Sequence, residues 1–451
     1  MECLSAGRGI SLPAQSVGGA KVITRAVGAH ATVRKQFGMS ISKFEGVTEV
    51  LGRIGGLTYA VDALRTLTTG ALNQGMKPGV VTAITKYYST EISRKLANDG
   101  MDILGGAGIS RGPRNFLANG YITAPLGITV EGANILTRTL IIFGQGLLRA
   151  HPYAYATVES LQTSNVKNFD KAFWGQIGHV AHLAFRAPLL SLTRGRLYRS
   201  CPSQNRRYFQ KLAWASASFA FTTNLAMILV GSKLKFKEAL SGRFADMLAW
   251  NYIGFGVLYR HAAQGSREED QALVDWSMKY AFQQMQEARE GIYANLSFPG
   301  LTWLLRVVLG SWVRMNRFDS KASDELSFQV AHLITRFSEA RNRLTDGIFI
   351  PNSRTDGLGR LEYAFELALV AEKIEKRIRD AVRRKILPKG KTEALKQRAV
   401  ELGIINAQDL KDLELAKAAY WDAIQVDDFS DEEYFGTGHE GETKGHLDMA
   451  G

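Results

Sequence analysis

The sequence predicts an all-α protein. Proline is scarce, at 10 residues in 451, so little interrupts a helix. Alternating apolar and polar runs of the kind that mark half-buried strands are few. Apolar residues recur instead at spacings of three and four, which line up one face of an α-helix.

The elements follow in chain order. Lys77-Pro78-Gly79 separates two helices, and the glycine cluster from Gly105 to Gly112, followed by Pro113, reads as a loop. A helix is expected over 133–148, closed by His151-Pro152. Residues 194–207 are basic and contain Pro202, which makes them a linker. The 20-residue stretch 212–231 carries no charge and is long enough to cross a bilayer. Its Ser216, Ser218, Thr222, Thr223 and Asn224 favour a buried bundle helix, with a membrane span as the alternative. Leu326, Val330, Leu333, Ile334 and Phe337 form one apolar stripe. The helix 361–387 places Leu367, Val370, Ala371, Ile374, Ile378 and Ala381 on a second, and Pro388 closes it. The tail 426–451 carries Asp427, Asp428, Asp431, Glu432 and Glu433 among glycines, and is read as disordered or docked on a basic face.

Composition narrows the class. With 45% hydrophobic and 22% charged residues, the chain has the balance of a soluble globular protein. Cys3 and Cys201 are the two cysteines, too few for a disulfide framework or a cysteine zinc cluster, and no metal site is expected. A reducing cytoplasm is the simplest compartment. Residues 1–19 show no basic region followed by an apolar stretch, so no signal peptide is read there. The net charge of +13 favours anionic partners: nucleic acid, an anionic membrane surface, or a phosphate-bearing ligand. The densest basic patches, 194–211 and 383–391, come without a zinc finger, RNA-binding motif or basic zipper. No nucleic-acid partner is therefore expected, while peripheral contact with the inner membrane stays open.

The chemistry is concentrated in the first 150 residues. Gly105-Gly106-Ala107-Gly108 is not a dinucleotide fingerprint, since no strand precedes it and the spacing is not G-x-G-x-x-G. Four segments taken together resemble the acyl-CoA dehydrogenase family. They are Arg34-Lys35-Gln36-Phe37-Gly38, similar to R-x-x-F-G; Ala83-Ile84-Thr85-Lys86-Tyr87 with Glu91, similar to a lysine-bearing helix; Asp102-Ile103-Leu104-Gly105-Gly106-Ala107-Gly108, similar to Q-x-x-G-G-x-G; and Val130-Glu131-Gly132-Ala133, similar to an apolar residue followed by E-G-T, with Arg138 downstream. Order and spacing agree over roughly residues 4–149.

The resemblance implies a C-terminal four-helix bundle that binds flavin over 1–150, then a connecting helix and basic linker over 151–205. A second helical domain over 206–425 would follow, like that of the large bacterial long-chain enzymes, and then the acidic tail 426–451. It implies FAD as cofactor, a fatty acyl-CoA as substrate, an electron-transfer partner and a homo-oligomer. Glu131 occupies the position of the family's α-proton-abstracting base. Arg34, Gln36, Phe37, Asp102, Gly105, Gly106 and Ala133 match cofactor-binding positions, and Arg8, Val130 and Gly132 match substrate-binding ones. Asp102 stands where glutamine is usual, and Ala133 where threonine is usual. The β-domain segments W-x-T-N and T-E-x-x-x-G-S-D are not present in the chain, which is expected to begin inside a larger gene product. A non-catalytic helical interaction or regulatory module retaining the fold is the alternative.

Overall fold

In a computed structural model of the protein, the structure describes residues 7–115, 117–146, 151–388, 390 and 392–436. The α-helices of nine residues or more are numbered α1 Ser11–Val33, α2 Glu45–Asn73, α3 Gly79–Leu104, α4 Ala118–Thr129, α5 Ala154–Gln162, α6 Val166–Leu192, α7 Arg206–Val230, α8 Glu238–Ala263, α9 Gln271–Asn295, α10 Asp324–Ile334, α11 Gly357–Arg383, α12 Thr392–Glu401 and α13 Ala407–Ile424. Among the described residues the strands are Lys35–Gln36 and Met39–Ser40, paired antiparallel. The all-α expectation holds.

The breakers act where expected: α2 ends before Lys77-Pro78-Gly79 and α3 begins at that glycine, and residues 193–205 separate α6 from α7. Two segments differ. Gly106–Ile109 forms a short helix inside the glycine cluster. Asn134–Leu136 continues as a π-helix, Thr137–Gln145, rather than a regular α-helix. There Arg138 pairs with Asp246 of α8 and Phe143 stacks on Phe244 at 4.7 Å. Gly242 leaves room for the guanidinium, since an added methyl would sit 2.6 Å from Arg138 Nη1. The expected end of this helix, 147–150, lies outside the described residues.

The chain forms two compact units that interleave in sequence, whereas the sequence divided it into consecutive blocks. The first comprises Met1–Gly28, Ile41–Asp99 and Tyr121–Ile348, the second Ala29–Ser40, Gly100–Gly120 and Phe349–Gly451. Interleaving arises because α2 is packed by α8, α9 and α10. Gly52, Gly55 and Gly56 on α2 permit that approach: an added methyl on Gly56 would fall 2.0 Å from Trp276 Cε3, and one on Gly55 2.7 Å from Val330 Cγ1. Leu51, Ile54, Leu57, Phe282 and Val330 are buried in this core. Phe337, assigned to the α10 stripe, lies beyond the helix and is 59% exposed.

Asp62 of α2 is buried, and three cations meet it: Lys21 at 3.2 Å, Arg260 at 3.0 Å and Arg65 at 3.1 Å. Burial alone would raise its carboxyl pKa, but Arg260, Lys21 and Arg65 hold it below the usual value. Among the described residues α7 is the one single helix whose length and hydropathy would allow a membrane span, the bent pair Ala118–Thr129 and Asn134–Gly144 passing only if taken together, and half of the most apolar window of α7 is buried within the protein. Its Thr222 donates to the Ser218 carbonyl at 2.7 Å, and its Asn224 donates to the Ala220 carbonyl at 2.9 Å, so these polar groups are satisfied inside the helix.

In the second unit, Ala371, Ile374, Ile378 and Ala381 of α11 pack with Ala399, Ile405, Leu413 and Ala416. Val370, expected on that face, is 40% exposed. The α11 helix also begins and ends one turn earlier than the sequence suggested. The start of the acidic tail docks: Arg114 donates its backbone N–H to both Asp427 oxygens at 3.1 and 3.0 Å. Residues 437–451 lie outside the described residues.

Candidate functional site

The turn between α4 and Asn134 carries Glu131 and Gly132. Glu131 has φ of 58°, a left-handed conformation that an L side chain adopts at a cost of order 1–3 kcal/mol. Gly132 follows at φ 109°, where glycine avoids the steric penalty. An added methyl on it would meet Thr137 Oγ1 at 3.4 Å and Arg8 Nη2 at 3.5 Å. The turn is tight and one arginine flanks it.

Buried hydrogen bonds fix its shape. Lys86 of α3 donates to the Gly132 carbonyl at 2.7 Å and to Asn134 Oδ1 at 2.7 Å. Asn134 in turn donates to Thr90 Oγ1 at 3.0 Å and Glu91 Oε1 at 2.8 Å. Arg94 donates to the other Glu91 oxygen at 2.6 Å. Burial pulls the Lys86 ammonium down to about 8, and Arg8 adds to the shift while Glu131 and Glu91 oppose it. Lys86 and Thr90, four positions apart, share one face of α3, and Glu91 reaches Asn134 from the adjacent position.

The Glu131 carboxylate is divided between two environments. Ser11 Oγ at the start of α1 donates to Oε1 at 2.7 Å. Among the described residues Oε2 is buried with no hydrogen-bond partner, and Arg8 Nε is likewise buried without one. Such groups are costly unless another molecule completes them. The apolar side chains near it in sequence face outward: Val130 is 50% and Ile135 79% exposed. The left-handed turn sends Glu131 inward and leaves these side chains, with Ile122 and Leu126 of α4, as an exposed apolar surface. Ala133 is exposed as well.

The remaining sequence-assigned residues belong to the second unit. Arg34 closes α1 and leads into the hairpin, whose register Lys35↔Ser40 and Gln36↔Met39 leaves Phe37 and Gly38 as a two-residue turn. Their φ values of 52° and 78° are those of a type I′ turn, and Phe37 stands out at 92% exposure. Gln36 and Asp102 are exposed, and Arg34 is half-buried. Gly105 has φ of 59°, and Cβ atoms built on Gly105 or Gly106 would meet open space. The structure thus groups Arg8, Glu131 and Gly132 in one unit, and holds Arg34, Gln36, Phe37, Asp102, Gly105 and Gly106 in the other. Ser11 was missed by the sequence reading. A serine 120 positions from its partner leaves no local pattern to find.

Comparison with known proteins bears on both parts of the chain. Residues 1–143 match the sequence profile described as "Acyl-CoA dehydrogenase, C-terminal domain". Residues 148–429 match "Acyl-CoA dehydrogenase, C-terminal, bacterial type". The mitochondrial very long-chain specific acyl-CoA dehydrogenase of Mus musculus is 33% identical over 85 residues, covering 19% of this chain and 13% of that protein. A probable acyl-CoA dehydrogenase of Mycobacterium tuberculosis is 28% identical over 145 residues, or 31% of this chain and 35% of its own. The chain therefore spans a minor part of these relatives. Among solved structures, an acyl-CoA dehydrogenase complexed with FAD from Bacillus anthracis superimposes with a TM-score of 0.59 at 16% identity, covering 74% of this chain and 56% of that one. At that identity the likeness is one of fold.

Proposed function

Because the chain belongs to the acyl-CoA dehydrogenase family, we propose that it forms the helical part of an FAD-dependent enzyme that converts a fatty acyl-CoA to the trans-2-enoyl-CoA, as in fatty acid β-oxidation. Glu131 is the base that takes the α-proton. The observation that carries this reading is its Oε2: a buried carboxylate oxygen with no partner among the described residues, on a side chain held in place through Oε1 by Ser11. A base needs one oxygen fixed for orientation and another free to accept a proton.

The turn supports the same assignment. As the α-proton leaves, negative charge grows on the thioester oxygen, and a backbone N–H in a fixed turn can stabilise it. Lys86 fixes the Gly132 carbonyl, and so limits how the turn can move. Gly132 presents no side chain to an approaching thioester. Val130 and its exposed apolar neighbours offer a surface for an alkyl chain, and Arg8 supplies positive charge beside the turn.

FAD, when bound, supplies the acceptor for the hydride leaving the β-carbon. The residues of this chain fit its pyrophosphate end: a guanidinium at Arg34, and open backbone at Gly105 and Gly106. Phe37 and Gln36 would frame that contact from the hairpin tip, and Ala133 would face the flavin without the hydroxyl of a threonine. An exposed Asp102 carboxylate would repel the same phosphates, so the contact runs through Arg34 and the glycine amides. An electron-accepting partner, a homo-oligomer, and a cytoplasmic setting with contact at the inner membrane belong to the same proposal.

The deciding experiment is anaerobic mixing of the flavin-loaded enzyme with a saturated acyl-CoA, following loss of the oxidised flavin absorbance. Glu131→Gln should bind FAD and acyl-CoA and slow the bleaching by about 10² to 10⁴, the usual contribution of a positioned base. Bleaching at the parent rate would assign the base to another residue. A parent enzyme that binds acyl-CoA and never bleaches would favour a non-catalytic module.

A further inference from the structure

A cavity of about 360 Å³ opens within the first unit, well apart in sequence from the Glu131 turn. Pro188 and Leu192 of α6, Phe221 of α7, and Val308, Leu309 and Trp312 form much of its wall. Its size falls within the range of about 300–1,000 Å³ typical of small-molecule sites. Glu131, Ser11 and Lys86 contribute nothing to its lining.

One charged side chain lines this apolar space, Arg289 of α9. It is 3% exposed and has no carboxylate within ion-pair distance among the described residues. Its Nη2 donates to three neutral oxygens: Gln286 Oε1 at 2.7 Å, the Val313 carbonyl at 3.3 Å and the Asn316 carbonyl at 2.7 Å. Its guanidinium lies 3.8 Å from the Phe318 ring centroid. Nε is buried with no hydrogen-bond partner among the described residues. The neighbouring acid, Glu290, is engaged elsewhere: its Oε1 accepts from Gln286 Nε2 at 2.7 Å and lies 4.0 Å from Arg317. Burial pulls the Arg289 guanidinium down to about 10, and the charges of Tyr293 and Glu290 offset this only in part.

A buried cation without a counter-ion is expensive, and proteins normally pair it. We infer that the cavity binds the free carboxylate form of an aliphatic acid, its alkyl chain among Leu192, Phe221, Val308, Leu309 and Trp312 and its carboxylate on Arg289. The occupant is identified by charge complementarity. A thioester carries no negative charge at the end of its chain, so the ligand is the free acid rather than the acyl-CoA. This site is separate from the proposed catalytic turn and stands or falls independently of it.

Isothermal titration calorimetry of the full chain with sodium decanoate and with decan-1-ol tests the inference. Decanoate should bind once per chain, and decanol, which has the same tail without the charge, at least tenfold more weakly. Arg289→Met should weaken decanoate at least tenfold and leave decanol unchanged. Because loss of Arg289 could disturb the core, Ser218→Phe provides a second test: Ser218 lines the cavity, and the ring would fill it and abolish binding of both ligands. No decanoate binding to the parent at millimolar concentration would overturn the proposal. So would equal affinity for acid and alcohol, which would make Arg289 a structural tie, or undiminished decanoate binding to a folded Ser218→Phe chain.

Discussion

Ser11 Oγ donates a 2.7 Å hydrogen bond to Glu131 Oε1, joining the first turn of α1 to the turn after α4. The bond fixes the orientation of the carboxylate and leaves Oε2 alone. Ser11→Ala removes the anchor without touching the proposed base. Flavin bleaching should slow by about tenfold, since a hydrogen bond to a charged group contributes on the order of 1.5 kcal/mol. The effect should appear in kcat, with KM for acyl-CoA little changed. Ser11→Thr retains the hydroxyl and should keep most of the rate. An unchanged rate in Ser11→Ala would mean that Glu131 is oriented by the left-handed turn alone.

Lys86 is the second support of that turn. Lys86→Met leaves the buried Asn134 Oδ1 without its donor, at about 1–3 kcal/mol, and leaves the Gly132 carbonyl only the Thr137 hydroxyl at 3.4 Å. A lowered Tm and slower bleaching are expected together. With the pKa pulled from 10.5 to about 8, the unfolded chain binds more protons than the folded one between those values. Stability from this group should therefore rise as pH climbs from about 8 to 10.5. The NMR shift of the lysine Cε should titrate near pH 8 in the parent and be missing in Lys86→Met. A midpoint near 10.5 would show that Lys86 is better solvated than its position implies.

Much of the architecture was readable in the sequence. Proline and glycine breakers set the helix ends at Lys77-Pro78-Gly79 and around Pro202, because their effects are local. What escaped depends on contacts far apart in the chain. Nothing near Gly52, Gly55 and Gly56 reveals that Ser327, Val330 and Trp276 pack against them, so the interleaving of the units was hidden. Periodicity likewise assigned Val370 and Phe337 to buried stripes, although helix phase and helix end expose them. At the site, the motif marked Glu131 and Gly132, but the φ of 58° that turns the carboxylate inward is a property of the folded turn. Nor does the sequence reveal that its neighbours Val130 and Ile135 are left exposed by that turn.

Arg34→Ala probes the proposed cofactor contact. Removing a guanidinium from a phosphate contact loses charge-assisted hydrogen bonds, each on the order of 1.5–3 kcal/mol. Flavin occupancy of the isolated enzyme should fall at least tenfold, with activity partly restored by added FAD. Arg34→Lys should recover part of the occupancy, because lysine keeps the charge and loses the planar fork. Full occupancy in Arg34→Ala would remove this residue from the cofactor site.

The same arginine acts on a buried histidine one turn earlier. His30 is 8% exposed, and its pKa is lowered from 6.5 to about 4, first by burial and then by the Arg34 charge. Between pH 6.5 and 4 the unfolded chain binds a proton at this residue and the folded chain does not. The neutral His30 thus contributes stability that is fully present above about 6.5 and lost as pH falls through about 4. The loss amounts to about 3 kcal/mol at most, from a shift of roughly 2.5 units at 1.36 kcal/mol each. His30→Phe should flatten the dependence of Tm on pH across this window. Arg34→Ala should move the imidazole titration upward without abolishing it, because burial remains the larger cause. NMR of the His30 ring distinguishes the cases: a midpoint near 6.5 in the parent would contradict the burial, and one unmoved in Arg34→Ala would contradict the coupling.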